Sequence, residues 1–309
     1  MIRYVGLRVI QGAAILLAVA TITFVLLRFL PGGPFDRDKA LPPEIRRNVE
    51  ARYALDRPLA EQYARYLAGL VRGDLGPSYK YVGRDVREII AEGLPVSAGL
   101  GALALGLALV GGIGMGLVAG SRPGSALDRA VMLISVLGIS VPSFVLAAAL
   151  VYGLALRLGA FPAGLWEGPE HAVLPTLALA ALPLATIAQL ARVSVIEVAR
   201  LDFVRTARAK GVREARVFLH HVLRNAWLAV VTYFGPLLAT LLTGSFVVEK
   251  IFAVPGIGRF FVTAVTDRDH PLVLGVTLVY CALVVAANLV VDLLYAWIDP
   301  RIRMGRPRG

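Results

Sequence analysis

The sequence predicts an all-α membrane protein with six transmembrane helices and both termini in the cytoplasm. Three observations carry this. Apolar residues make up 57% of the 309-residue chain, more than the single core of a soluble domain needs. They fall in uncharged runs of about 20 residues, the length that crosses the hydrocarbon of a bilayer. The net charge of +11 is gathered in short segments between those runs. Basic segments alternate with charge-balanced ones, as expected when Lys and Arg resist translocation. The same distribution speaks against nucleic acid as a partner.

Residues 1–30 hold the N-terminal tail and the first span. Arg3 and Arg8 precede the uncharged run Val9–Leu27. Ala18-Val19-Ala20 mimics a signal-peptidase site, but the apolar run continues through Ile22, Phe24, Val25 and Leu27 and favours an uncleaved span. Residues 31–93 form the one sizeable polar segment, with 11 Lys/Arg against 10 Asp/Glu. A segment this long crosses despite its arginines, so it belongs on the outer face. It carries three helical patches: Pro43 onward with Ile45, Val49 and Tyr53; a stripe of Leu59, Tyr63, Tyr66, Leu67 and Leu70 after Asp56 and Pro58; and Arg84 to Glu92 with Val86, Ile89 and Ile90 inward. Pro43 and Pro58 stand where helix starts tolerate proline. The stripes are expected to pack on one another.

Residues 94–299 make a five-span core. The second span, Leu94–Gly120, carries Gly112, Gly116 and Gly120 at intervals of four, a spacing that lets helices approach closely. Ser121–Arg129 is a short basic inner loop. The third span, Ala130–Leu156, contains Pro142, and Arg157–His171 returns outside. The fourth span, Ala172–Ala191, is expected to be interrupted by Pro175 and Pro183. The fifth, Asn225–Val248, contains Gly235-Pro236. Glu249–His270 is balanced in charge and semi-apolar, and is read as external. The sixth span is Pro271–Val291, and residues 300–309 are a basic cytoplasmic tail.

Between the fourth and fifth spans lies the most informative stretch, the loop 192–226. It carries Arg192, Arg200, Arg205, Arg208, Lys210, Arg213, Arg216 and Arg224 against Glu197, Asp202 and Glu214. Apolar residues recur through it at helical spacing, and Gly211 interrupts them as a left-handed helix end does. The loop therefore reads as two short amphipathic helices joined at Gly211, on the cytoplasmic side, with an Arg-rich surface suited to a partner.

No other stretch carries legible chemistry. There is no GxxxxGK[ST] loop and no GxSxG element, and His171, His220, His221 and His270 have no metal-ligand spacing. Cys281 is the only cysteine, so no internal disulfide is possible. The polar residues inside spans are Gln189, Asn288 and Asp292. Asp292 sits near an inner end, where pairing with an arginine of a neighbouring loop is expected rather than proton relay. An ion-coupled carrier, the alternative reading, would place carboxylates nearer the midplane.

RTARAKG, followed nine residues later by HVLRNA, resembles the EAA-type coupling loop of bacterial ATP-binding-cassette (ABC) importer permeases. Arg205, Thr206 and Ala207 stand in the Glu-Ala-Ala places before Gly211. RFLPGGPF, LPPEIRRNVEARYALDRPL, GDLGPSYKY, LPVSAGLGA, YFGPLL, TGSFVVEKIFAVPGIGR and YAWIDPRIR extend the likeness along the chain, to the dipeptide and oligopeptide branch and within it to oligopeptide permease B subunits. The resemblance implies a type I ABC importer permease fold with an extracytoplasmic helical insertion after the first span. It implies a second homologous permease subunit, two cytoplasmic ATPase subunits holding ATP and Mg, an extracytoplasmic peptide-binding protein and a peptide substrate, with no cofactor on this chain and no catalysis by it. Dipeptides or nickel are the alternative cargoes. The residues it assigns to the ATPase contact are Arg205, Thr206, Ala207, Arg208, Ala209, Lys210 and Gly211, with Arg213, Arg216, Val217, Phe218 and His221. Burial of Val212, Val217, Phe218 and Leu219 in the ATPase is expected to carry most of the affinity.

Overall fold

The computed structural model describes residues 2–29, 53–223, 233, 237–238, 241 and 246–298. The expected patch at Pro43, most of the fifth span and the C-terminal tail lie outside them. Among the described residues the secondary structure is helical, with one isolated bridge between Pro77 and Asp85. The helices are α1 (Ile2–Phe29), α2 (Leu59–Arg72), α3 (Val86–Ser121), α4 (Ala126–Ser140), α5 (Ser143–Leu150), α6 (Val173–Ala199), α7 (Asp202–Ala209), α8 (Ile257–Asp267) and α9 (His270–Ile298). Among the described residues four segments are long and apolar enough to cross a membrane: Val5–Phe29, Val86–Ser121, Pro169–Ala199 and His270–Asp292. A fifth exists if α4 and the helix after it count as one bent span.

Three boundaries differ from expectation, each at a proline or a charge. The patch Arg84–Glu92 and the second span are one helix, α3, which runs unbroken through Pro95. At 36 residues it is about 54 Å long, well beyond a bilayer's hydrocarbon. The third span, expected over Ala130–Leu156 with Pro142 inside it, breaks at that proline. Val141 there is extended (φ −89°, ψ 118°), as the residue before proline prefers, and the helices on either side meet at 106°. The fourth span is not interrupted: Pro175 lies in the first turn of α6, Pro183 is inside it, and the helix continues to Ala199. The loop's first eight positions, 192–199, thus extend the span.

Contacts divide the chain into two compact units, one of residues 1–96 and 255–309 and one of 97–254. In the first, α1 packs along α9. A Cβ on Gly12 would stand 2.7 Å from Val285, so the helices meet closely there. Arg8 of α1 pairs with Asp292 of α9 at 3.0 Å, so the aspartate's arginine partner comes from a helix and not from a neighbouring loop. Phe24 stacks on Tyr66 and tilts against Tyr63, joining α1 to α2. Val86, Ile89 and Ile90 are buried. Asp269, fully buried at the α8–α9 corner, accepts from Ser78 Oγ and from the backbone N–H groups of Tyr79, Lys80 and Leu272, and so ties the 77–81 turn to that corner.

In the second unit, Gly112, Gly116 and Gly120 all face α6. A Cβ on Gly116 would lie 2.5 Å from the Ala188 carbonyl, and one on Gly112 2.7 Å from that of Leu184. Within lipid, helices gain little from hydrophobicity and associate through such close backbone packing. A Cβ on Gly138 of α4 would stand 2.9 Å from Ala185 Cβ and 3.1 Å from the Ala181 carbonyl, on either side of Pro183. Leu100, Ala104, Ala108, Leu179, Ala180, Ile187, Ala191, Leu237 and Leu241 fill the core.

Candidate functional site

The basic loop is a helical hairpin hung from the end of α6. That helix stops at Ala199, where Arg200 and Leu201 donate to Glu197 and Val198. Leu201 turns to extended backbone (φ −68°, ψ 150°) and starts α7, with Asp202 in the first turn where a negative charge suits the helix dipole. Gly211 ends the structure begun by α7 with φ +77°. Its N–H donates to Arg208 O at 2.9 Å and that of Val212 to Ala207 O at 3.3 Å, the paired bonds of a glycine-terminated helix. An α turn, Glu214–Arg216, then runs into a π-helical turn, Val217–Leu223.

The hairpin has two faces. Val195, Val204, Ala207, Val217 and Val222 form a buried cluster, with Leu117, Val198, Val212 and Phe218 packed on it. This joins both arms to the ends of α3 and α6. Val217, assigned by resemblance to the partner's groove, is fully buried inside the chain, and Ala207 nearly so. Both anchor the hairpin, and their burial is already complete without a partner. Val212 and Phe218 are half-buried on the same cluster. The side chains of Leu219 and His221, and the residues from Arg224 onward in the loop, lie outside the described residues.

The other face is exposed and basic. Arg205, Thr206, Arg208, Ala209, Lys210, Gly211, Arg213 and Arg216 all reach solvent. Arg208 is engaged within the hairpin, with Nη2 2.6 Å and Nε 3.1 Å from the two Glu214 oxygens and Nη1 3.3 Å from Ala199 O. That clasp holds the Glu214 carboxyl below its ordinary range. Arg205 makes a long contact, 3.6 Å, with Asp202. Lys210, Arg213 and Arg216 have no acidic partner among the described residues. Leu201 and Phe203 add apolar surface, 48% and 42% exposed.

One strut fixes the hairpin's root. Arg192 of α6 makes a two-pronged pair with Asp128 of α4, at 2.5 and 2.9 Å. Asp128 also accepts from the Gly124 N–H, and its own N–H donates to Ser125 Oγ. Ser125-x-x-Asp128 before an apolar run is a legible helix-start signal that a reading of the loop's charges alone passes over. Glu249 was also missed. It is fully buried and accepts from Ser97 Oγ at 2.7 Å. Its neighbour Lys250 makes it look like half of a solvated charge pair. Among the described residues no three His, Cys, Asp or Glu side chains gather as a metal site would need.

The chain's relatives give this surface its context. A family model described as a binding-protein-dependent transport system inner membrane component matches residues 112–304, and one for the N-terminal part of such membrane components matches residues 1–98. The dipeptide transport system permease protein of Bacillus subtilis is 43% identical over 304 residues, 98% of this chain and 99% of that one. The oligopeptide transport system permease proteins of Haemophilus influenzae and Escherichia coli are 42% and 41% identical over 305 residues, 98% of this chain and all of theirs. The chain belongs to the family of binding-protein-dependent transport system inner membrane components, as a multi-pass ABC permease of the oligopeptide and dipeptide group.

Proposed function

We infer that the chain is one of two homologous permease subunits of an ATP-driven oligopeptide importer, crossing the bacterial inner membrane six times with both termini in the cytoplasm. In this reading residues 31–93 are the extracytoplasmic insertion, 94–299 the five-span core and 300–309 a cytoplasmic tail. ATP and Mg bind on two cytoplasmic ATPase subunits, and an extracytoplasmic binding protein delivers the peptide. The observation that supports it best is the Gly211 hairpin, with its apolar face spent on the ends of two long helices and its basic face open. Lys210, Arg213 and Arg216 can meet acidic groups of an ATPase, at about 0–1 kcal/mol per exposed pair. Leu201 and Phe203 take the apolar role first expected of Val217, each worth about 1 kcal/mol when its exposed part is covered. A hairpin rooted in helices converts closure of the ATPase pair into rocking of the spans.

The test is co-purification with the ATPase subunits and peptide-stimulated ATP hydrolysis. Arg213→Glu with Arg216→Glu should abolish both while the chain still inserts. Unchanged assembly and hydrolysis would remove the coupling assignment. Arg208 is unsuitable for this purpose, because reversing it breaks the Glu214 clasp. The Bacillus subtilis relative favours a second cargo, dipeptides. Competition of labelled tetrapeptide uptake by dipeptides and by longer peptides separates the two.

A further inference from the structure

A cleft of about 250 Å³ opens in the first unit between α1 and α9, on the side of the membrane where the span Val5–Phe29 begins and the span His270–Asp292 ends. Four polar side chains line it in two tiers. Arg8 of α1 and Asp292 of α9, paired at 3.0 Å, form the outer tier. Gln11 and Asn288 form the inner one. Gln11 stands three residues further along α1 than Arg8, and Asn288 four residues before Asp292 in α9, so the amides lie about 4.5 and 6 Å deeper in the membrane. Just past Gln11 the two helices close on one another at Gly12 and Val285, which gives the cleft its floor.

The two amides have no use inside the chain. Gln11 and Asn288 are exposed and make no hydrogen bond with one another or with any other described residue. Polar side chains on neighbouring spans commonly bond across the seam, and one left facing hydrocarbon without a partner is costly. The partner for this pair comes from outside the chain. The spacing of the tiers selects it. The layer between hydrocarbon and water is about 5–7 Å thick on each side of a bilayer, which matches the step from the ion pair to the amides. A phospholipid in that layer carries its headgroup and phosphate outermost and two glycerol ester carbonyls beneath. Those carbonyls only accept, and the amides supply N–H donors. In the outer tier a positive group stands beside a negative one. That arrangement matches a zwitterionic headgroup and offers no net attraction to an anionic one. A carboxylate accepts several donors, so Asp292 can take an ammonium N–H while it holds Arg8. Ile15 and Leu289 on the cleft wall, with Ile15 50% exposed, continue it as apolar surface for an acyl chain.

We propose that this cleft binds one phosphatidylethanolamine molecule. Its ammonium donates to Asp292, its phosphate lies against the Arg8 guanidinium, and its ester carbonyls accept from Gln11 Nε2 and Asn288 Nδ2. Bound there, the lipid holds α1 against α9 above the point where Gly12 and Val285 meet.

The test uses the full-length chain in its purified complex, delipidated in detergent. The complex is titrated under native mass spectrometry with phosphatidylethanolamine, phosphatidylcholine or phosphatidylglycerol of identical acyl chains. The first phosphatidylethanolamine should be retained about tenfold more tightly than either of the others. Asp292→Asn should erase that preference, because the ammonium loses a charge-assisted bond. Gln11→Leu with Asn288→Leu should weaken phosphatidylethanolamine and phosphatidylcholine alike, by about tenfold, and leave their ratio unchanged. Leucine suits a lipid-facing position, so this double variant decides if Asp292→Asn fails to assemble. Equal retention of phosphatidylethanolamine and phosphatidylcholine by the parent, or a double variant that retains both like the parent, overturns the proposal. So does displacement of the lipid by soluble phosphoethanolamine or by a dipeptide, which would mark a site for free zwitterions or for cargo. Retention that appears only once the complex is dissociated also overturns it, and gives the cleft to a partner helix.

Discussion

Replacing Gly211 by alanine isolates the hairpin's hinge. Gly211 holds φ +77°, and a Cβ built on it meets nothing within 4 Å. The substitution therefore acts through the backbone alone. An L-residue in the left-handed region costs about 1–2 kcal/mol, and stiffening the unfolded chain returns about 0.4–1 kcal/mol. The net loss of about 1 kcal/mol raises the open population of the turn roughly fivefold. The assay is hydrogen exchange at the amides of residues 211 and 212, whose bonds to Arg208 O and Ala207 O close the turn. Both should exchange about fivefold faster, with the α3 and α6 amides unchanged. Gly211→Asn should recover much of the protection, because asparagine tolerates this conformation. Exchange equal to the parent in Gly211→Ala, or an asparagine variant no better than the alanine one, would refute the reasoning.

Other perturbations read other parts of the account. Val217→Ala should destabilise the hairpin by about 2 kcal/mol through lost packing, lowering protection on both arms even with no ATPase present; a change seen only in the complex would return Val217 to the interface. Asp128→Asn should loosen the root of the hairpin and lower the melting temperature, and exchanging the charges of Asp128 and Arg192 should restore part of it. Glu249→Ala, which removes the 2.7 Å bond from Ser97 Oγ inside the unit, should cost about 1–3 kcal/mol, and Glu249→Gln distinctly less, in a thermal-shift series. The Arg208–Glu214 clasp sets a pH dependence. Because the folded Glu214 carboxyl is held below its ordinary value, its contribution is present above about pH 4 and fades as pH falls through the lowered value. Protection of residues 208–214 should be flat from pH 8 to 6 and decline only under stronger acid.

Much of the architecture was legible because lipid imposes simple rules on composition. Uncharged runs marked α1, α3, α6 and α9, and the Gly112-Gly116-Gly120 row was read as a packing seam, the role it has against α6. Gly211 announced the hinge by its place after a helical stripe. What stayed hidden were consequences of packing. Pro183 looked like a break but sits inside a continuous helix, as Pro95 does, whereas Pro142 does break its helix. The same residue type gives both results, and the neighbours decide. Glu249 and Asp269 looked like surface charges because each stands beside a basic residue, yet both are fully buried with hydrogen-bonding partners distant in sequence. The Arg-rich loop hid its division of labour for a related reason. Helical spacing gives each arm an apolar side, with Val204 and Ala207 on one and Val217 on the other, but does not show whether those sides face a partner or the chain's own helix ends.

The central claim is that the Gly211 hairpin lies in the cytoplasm and is covered by ATPase subunits. Its most direct test places cysteine at Lys210 in a Cys281→Ser chain and exposes it to a membrane-impermeant maleimide. The account predicts no labelling in intact cells, labelling in inverted vesicles stripped of peripheral subunits, and protection once the ATPase subunits are returned. Labelling in intact cells, or equal labelling with and without those subunits, would contradict it.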